Sequence, residues 1–453
     1  MGANPTRFVI IGNGAAGTYA AEQLRKDDSA CLIVMIDDEA YTLYNRVSLP
    51  RYLKGVLLEQ RVYVRDQAWH DKNRIDLRLE TKVVQVDFDH RTVTTDPGGE
   101  LPYDRLLIAT GGRPNPLRAE GADRTKYVFN FQYFDETRAM VQRIPESKVA
   151  VVLGGSFIGY ELAEAFAFQK LETHWLMRGP WFLRRALDEA GGRIVTLLGE
   201  DTGVHFHYDE AIEKVSQTDA TVQVTGTKGF AAKADLVGVG LGLTMNIDVF
   251  GDTALETNVG ILTNEFLETN IPDVWAAGDI AEFYDVVSAR HHRMGTWDNA
   301  LNHGRHVAKN MQGAKAPYVE VPTYASGMFN SNISVMGVTT EEEPDRAAGV
   351  GKAAGRVLGA VIEAQRGDPR RGEGVAEIRA VLALPVAAAE HRRAAGGRAV
   401  GEVEDALDLA ALDREPDPLK HSTATPGASA LPAPRASRAS RAPSRAGRSA
   451  CAS

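Results

Sequence analysis

Glycines set at fixed intervals after short apolar runs are the first residues in this 453-residue chain with a chemistry to offer. Arg7-Phe-Val-Ile-Ile11 leads into Gly12-Asn-Gly-Ala-Ala-Gly17 and then into a helical run, Thr18 to Arg25. Gly12 allows a tight turn, Gly14 lets the backbone approach a pyrophosphate, and Gly17 lets the helix close on the strand. The N–H groups at the helix start add a partial positive charge. A second apolar strand, Leu32 to Ile36, ends in Asp37. That places a carboxylate about 20 residues past the turn, where it meets a ribose hydroxyl pair. The pattern predicts a dinucleotide-binding unit.

A second copy follows. Lys148 to Leu153 reads as a strand, Gly154-Gly-Ser-Phe-Ile-Gly159 as the turn and Tyr160 to Gln169 as the helix. Two such units imply two dinucleotides. The copy is imperfect, because Ser156 stands at the middle glycine and its Cβ would crowd the closest pyrophosphate approach. After the next strand, Thr173 to Leu176, Met177-Arg178 replaces the expected acid. A guanidinium at Arg178 suits a 2′-phosphate, which favours NADPH over NADH.

Two more glycine sites complete an ordered set: Leu106-Leu-Ile-Ala-Thr-Gly-Gly-Arg-Pro114 and Val274-Trp-Ala-Ala-Gly-Asp-Ile280. With Tyr44-Asn-Arg-Val-Ser-Leu-Pro-Arg51 and Trp297-Asp-Asn-Ala-Leu-Asn-His-Gly304, the chain from about Arg7 to Gly337 resembles the FAD-dependent pyridine nucleotide-disulfide oxidoreductase superfamily. The likeness is to its ferredoxin, rubredoxin and nitrite reductase branch. The resemblance implies that Gly12, Asn13, Gly14, Ala15, Ala16 and Gly17 cradle the FAD pyrophosphate, with Asp37 on the adenosine ribose and Arg46 adding charge-assisted bonds. It implies further that Val83 contacts adenine, that Ala109, Thr110 and Gly111 cross the FAD, that Gly278 and Asp279 bind the ribityl chain, and that Trp297 lies near the flavin pyrimidine. Gly154, Gly155, Ser156, Phe157, Ile158, Gly159, Arg178 and Gly240 are the corresponding candidates for NAD(P)H.

The chain also departs from that pattern. Disulfide-reducing relatives carry an active cysteine in the segment matching Tyr41 to Lys54, and this chain has none there. Its two cysteines, Cys31 and Cys451, lie far apart, so thiol chemistry is rejected in favour of electron transfer from the flavin to an external acceptor. Cys31, in an apolar stretch, reads as a small buried hydrophobe. The branch also pairs a lysine beside the flavin with a glutamate after the second glycine turn. Here those positions are Arg51 and Glu161, the two catalytic candidates. Arg51 would place a fixed positive charge beside the flavin, although a guanidinium does not donate a proton at neutral pH. His291-His292 and His303 to His306 lack a third ligand at a coordinating spacing and read as solvated helix faces rather than a metal site.

These residues need an α/β scaffold with two Rossmann-like domains. The expected division is a discontinuous FAD domain, 1–115 and 244–321, an inserted NAD(P) domain, 116–243, and an interface-domain remnant at 322–344. A low-complexity, disordered tail at 345–453 ends the chain. No Phe, Trp or Tyr follows Phe329, and no acidic residue occurs from His421 onward. Such a composition buries too little apolar area to fold. Ile378, Val381, Leu382 and Leu384 keep a helical spacing, so short helices are expected there. In the family the third domain covers the flavin and makes a dimer, and its brevity here weakens both expectations.

Composition is that of an ordinary globular protein, with 44% hydrophobic and 25% charged residues. The net charge of −9 divides into −13 for residues 1–344 and +4 beyond, which disfavours nucleic acid as a partner. No apolar run is long enough for a membrane helix, and a cytoplasmic protein is expected. The leading reading is an NAD(P)H oxidoreductase that uses FAD to supply a ferredoxin-, rubredoxin- or nitrite-reductase-type acceptor. The alternatives are a flavin-binding signalling protein resembling apoptosis-inducing factor and a poorly functional product with an altered C-terminus.

Overall fold

Strands Arg7–Ile11 and Leu32–Ile36 are apolar nearly throughout, as strands covered on both faces must be. In the computed structural model, which describes residues 4–184, 187, 189–286, 289–320, 323–329, 331–336, 359–366 and 376–381, they lie side by side in a parallel sheet. Its order is Val274–Ala276, Arg105–Ile108, Arg7–Ile11, Leu32–Ile36, Ile75–Arg78. A second five-stranded parallel sheet runs Val128–Asn130, Leu236–Val239, Val149–Leu153, Glu172–Leu176, Val204–His207. In both, the strand leading into a glycine turn is central. The outermost strand comes from late in the chain in the first sheet and from before the glycine turn in the second.

Among the described residues, seven α-helices flank the sheets: α1 (Ala15–Asp27), α2 (Leu49–Leu53), α3 (Gln67–Lys72), α4 (Phe134–Arg143), α5 (Phe157–Phe168), α6 (Glu189–Glu200) and α7 (Trp297–Met311). Helices α1 and α5 begin inside their glycine turns, earlier than Thr18 and Tyr160, because Ala15 and Phe157 already take helical backbone. Helix α7 packs tightly across α1, where a Cβ on Gly304 would lie 2.2 Å from Ala16 O. The Thr296 hydroxyl accepts from Asn299 N at 3.2 Å and caps α7. The two halves are joined by an antiparallel pair, Gly112–Pro114 with Leu243–Met245. Cys31 is buried with its thiol 3.2 Å from Asp28 O.

Past Val321 the structure differs from the sequence reading. Thr323–Met328, Ser331–Met336, Gly359–Arg366 and Ala376–Val381 form one antiparallel meander of four strands. The stretch holding Ile378 and Val381 is therefore strand, not helix, and regular structure extends beyond the 344 boundary. The alternation of Ala376 to Val381 suits the period of two as well as its apolar spacing suits a helix, and pairing with Gly359–Arg366 decides between them. Residues 382–453, including Cys451, fall outside the described residues. Among the described residues, no helix is long and apolar enough to cross a membrane.

Candidate active site

Gly12 has φ of +113°, a conformation that favours glycine, and a Cβ there would lie 2.2 Å from Ala109 O. The first glycine turn thus lies directly against the Ala109-Thr110-Gly111 loop. Gly17 packs as closely on Gly12 O, at 2.0 Å from an added Cβ, whereas Gly14 has open space around it. A backbone cradle with one unfilled side, at the start of α1, suits a pyrophosphate. Asp37 lies beside it, accepting from Asn13 N with one oxygen and from Glu39 N at 2.9 Å with the other. Burial pushes its carboxyl up to about 6 against those two N–H donors. Arg46 follows in the turn after Tyr44, paired at 2.6 Å with Glu39 and stacked 4.7 Å over the Tyr44 ring, and its Nε has no partner. Asn13, Gly14, Asp37, Glu39, Tyr44 and Arg46 together line a small pocket.

The later motifs converge on this turn. Ala109 N donates to Ile11 O at 2.8 Å, the Thr110 hydroxyl to Asn246 O at 3.2 Å, and Ala277 N to Ile108 O at 3.0 Å. A Cβ on Gly278 would lie 3.0 Å from Ala16 Cβ. Asp279, in the next turn, makes no hydrogen bond among the described residues, and burial lifts its carboxyl to about 6 against the charges of Arg46 and Arg293. Val83 is half-buried on strand Lys82–Asp87, two residues after Thr81, whose N–H donates to Asp37 O at 2.9 Å. Trp297 is half-buried at the start of α7. A partly open glycine cradle, an Arg46 Nε and a half-buried Asp279 carboxyl without partners among the described residues fit FAD, whose phosphates and hydroxyls would supply them.

The second glycine turn repeats the first. Gly154 has φ of +110°, with Gly240 O 2.0 Å from an added Cβ, and Gly159 packs as tightly on Gly154 O. Ser156 precedes α5, and its hydroxyl donates to Gly240 O at 3.1 Å, locking the turn to the end of the neighbouring strand. Gly155 rests near Met177, its added Cβ 3.4 Å from the sulfur, and its carbonyl accepts from Leu183 N at 3.1 Å. This bond folds the loop after strand Glu172–Leu176 back over the turn. Arg178 and Arg184 are both exposed on that loop without an ion pair among the described residues. Phe157 meets Tyr324 with the rings tilted and their centroids 3.7 Å apart, while Ile158 packs against the adjoining core.

Two expectations are corrected. Arg51 is exposed and does not pair with Glu161. The ion pair that links α2 to α5 is instead Lys54 with Glu164, three residues further along each segment. Glu161 is half-buried and makes no hydrogen bond among the described residues. Burial, reinforced by the charge of Glu164 and opposed by Lys54, pushes its carboxyl up to about 8. His303 is the second correction: it is fully buried, its Nδ1 accepts from Gly278 N at 3.2 Å, and its ring meets Phe283 and Tyr318 edge-on. The imidazole anchors the turn before Asp279. His291 and His292 lie on strand Arg290–His292 rather than on a helix.

Sequence reasoning passed over Lys54 and Glu164 and placed His303 on a solvated face. The i, i+3 repetition of Glu161 and Glu164 on one helix was the available signal for the first two. For His303 it was the helical phase that sets this residue beside Gly304 on the face toward α1.

Comparison with known proteins gives consistent matches. The family described as pyridine nucleotide-disulphide oxidoreductase matches residues 6–304. The ferredoxin–NAD(+) reductase component of the anthranilate 1,2-dioxygenase system of Burkholderia cepacia is 31% identical over 75% of this chain and 83% of its own length. The NAD(P)H nitrite reductase of Bacillus subtilis is 28% identical over 73% of this chain, which spans 40% of that protein. Among solved structures, the ferredoxin reductase for the CYP199A2 system from Rhodopseudomonas palustris superposes with a TM-score of 0.70 at 27% identity, covering 74% of this chain and 82% of the other.

Proposed function

Because the chain belongs to the pyridine nucleotide-disulphide oxidoreductase family and is an FAD-dependent NAD(P)H oxidoreductase, we propose that its electrons leave to a small redox protein, in the cytoplasm. FAD, held at the first turn, would supply the redox chemistry between NAD(P)H and the acceptor. The chain's own residues bind and orient. The Gly12–Gly17 turn and the α1 N-terminus hold the flavin nucleotide's pyrophosphate, Asp37 its ribose hydroxyls and Asp279 its ribityl chain. The Gly154–Gly159 turn holds the nicotinamide nucleotide. Glu161, protonated at neutral pH, presents an uncharged carboxyl near that turn rather than a second anion beside Glu164.

The observation that carries this reading is the pair of like-built glycine turns combined with the absence of cysteine from Tyr41 to Lys54. The first supports two dinucleotides. The second removes the thiol relay and leaves an outside acceptor. Arg178 and Arg184, exposed and without an ion pair among the described residues on the loop folded over the second turn, favour NADPH as the reductant. The test is anaerobic: the purified flavoprotein is reduced with NADPH or NADH and then mixed with an oxidised plant-type or bacterial ferredoxin, a rubredoxin or ferricyanide. Rapid bleaching by NADPH and reoxidation by an iron–sulfur protein are expected. Reoxidation by ferricyanide alone, at every protein concentration tried, would overturn the proposed acceptor class.

A further inference from the structure

Three parts of the chain meet on one carboxylate. Lys54, the capping residue just past α2, forms an ion pair with Glu164 of α5, and both side chains are largely buried. The Tyr160 hydroxyl lies 2.9 Å from Glu164 Oε2 and also meets Gly327 O, while Phe329 N donates to Glu164 Oε1 at 2.7 Å. The Phe329 ring packs edge-on against Tyr160 at 5.6 Å. So α2 from the first half, α5 from the second and the turn between strands Thr323–Met328 and Ser331–Met336 share a single acceptor group.

We propose that Glu164 is a positioning residue for electron transfer, the joint that holds the helix carrying the second glycine turn at a fixed place relative to the first half of the molecule and the third sheet. The proposal rests on the reading of the chain as an NAD(P)H oxidoreductase using FAD. The hydrogen bonds that close the second glycine turn, Ser156 to Gly240 and Leu183 to Gly155, lie within its own half, and its ring contact with the third sheet, Phe157 on Tyr324, does not involve Glu164, so nicotinamide binding does not depend on the joint. What depends on it is the relation between the two nucleotide sites. Small misplacements there cost rate rather than affinity.

Glu161, one turn before Glu164 on the same helix, reports on the joint. The charged and titratable groups around it are Glu164 and Tyr160 on its own helix, Lys54 from α2 and Tyr324 from the third sheet. Removing the Glu164 charge lowers the pH at which Glu161 titrates. Removing the Lys54 charge raises it. A purely structural loss has no reason to move the two in opposite directions.

The test uses the full-length flavoprotein with Glu164→Gln, Lys54→Met and Lys54→Arg. The Glu161 carboxyl is followed by infrared pH titration, its band identified by its loss in Glu161→Gln, and the Phe329 amide by hydrogen exchange. The rate of flavin reduction and the nicotinamide Kd are measured separately by rapid mixing. Glu164→Gln and Lys54→Met should each slow flavin reduction about tenfold with Kd changed less than about twofold. The Glu161 titration should move down by about one pH unit in the first and up in the second. Phe329 should exchange faster in Glu164→Gln, and Lys54→Arg should restore the wild-type values. Unchanged reduction rates in both variants, or titrations that move the same way, would overturn the joint. A wild-type protein reduced by neither nicotinamide would instead bring down the functional reading, with the infrared and exchange results still deciding on the joint.

Discussion

At Asp279 the fold keeps a half-buried carboxyl group without a hydrogen-bond partner among the described residues, and a bound ligand would supply one. Replacing it with alanine removes the acceptor, and FAD affinity should fall by about 1–3 kcal/mol, or roughly 5- to 150-fold, in a fluorescence titration of apoprotein with FAD. Binding within twofold of wild type would show that Asp279 does not face the flavin. Both Asp279 and Asp37 have carboxyls raised to about 6, so their ionised, strongly accepting forms exist above that pH and are lost below it. FAD affinity should accordingly weaken as pH drops through about 6, and less so in Asp279→Ala. Arg178 offers a test of a different choice. Arg178→Glu puts a negative charge where a 2′-phosphate would lie and adds an acceptor for ribose hydroxyls, so the ratio of kcat/KM for NADPH to that for NADH should invert. Equal efficiencies with both nicotinamides in both proteins would remove Arg178 from the nucleotide site.

Helix α7 is fixed from two sides, by the close crossing with α1 at Gly304 and by His303, whose buried ring accepts from Gly278 N. Burial, aided by neighbouring His306 and His292, lowers its titration to about 3, far below the ordinary histidine value of about 6.5. The neutral ring therefore contributes stability that is fully present above about pH 6.5 and is lost as pH falls toward 3, because only the unfolded chain takes up the proton in that window. His303→Asn keeps an acceptor for Gly278 N and cannot be charged. Its unfolding free energy should depend less steeply on pH between 6.5 and 4 than wild type, by up to about 1.4 kcal/mol per pH unit, in denaturant titrations. Parallel slopes would show that His303 does not resist protonation in the native state. The contrast also explains what could be read from the chain in advance. Strand, glycine turn and helix were legible twice because each rests on local backbone geometry, at Gly12 and Gly154 above all. The partners of His303 and Glu164 were not, since Gly278 and Phe329 come from 25 and 165 residues away and only the packed fold brings them in. Arg51 was misjudged for the same reason: three residues separate it from Lys54, and the sequence does not say which of the two cations faces α5.

Over the whole molecule, the nucleotide motifs end by Gly304, yet paired strands continue to Val381. The aromatic-poor stretch after Phe329 therefore has two parts with different consequences. Strands Gly359–Arg366 and Ala376–Val381 extend the sheet that begins with Thr323–Met328 and Ser331–Met336, and the turn between those two leading strands touches Glu164 and Tyr160. Cutting the chain after Glu343 removes two strands and turns Ser331–Met336 into an open edge, with its N–H and C=O groups unpaired. Cutting after Ala388, where the compact unit of residues 1–388 ends, leaves the sheet whole. Both products should keep FAD at wild-type stoichiometry, because the cradle at Gly12–Gly17, the Ala109–Gly111 loop and Asp279 lie upstream of either cut. They should differ in stability and rate. The longer product should match the full chain in melting temperature and in flavin reduction, while the shorter one should melt about 5 °C lower and be reduced more slowly by NAD(P)H, since the third partner of the Glu164 joint is no longer held. Visible absorbance for flavin content, thermal melts and rapid-mixing reduction on the two truncations separate these outcomes. Loss of flavin from the 1–388 product would show that the tail beyond it folds onto the enzyme. Identical melting and reduction in both would show that the four-stranded sheet contributes nothing to the flavin-bearing halves.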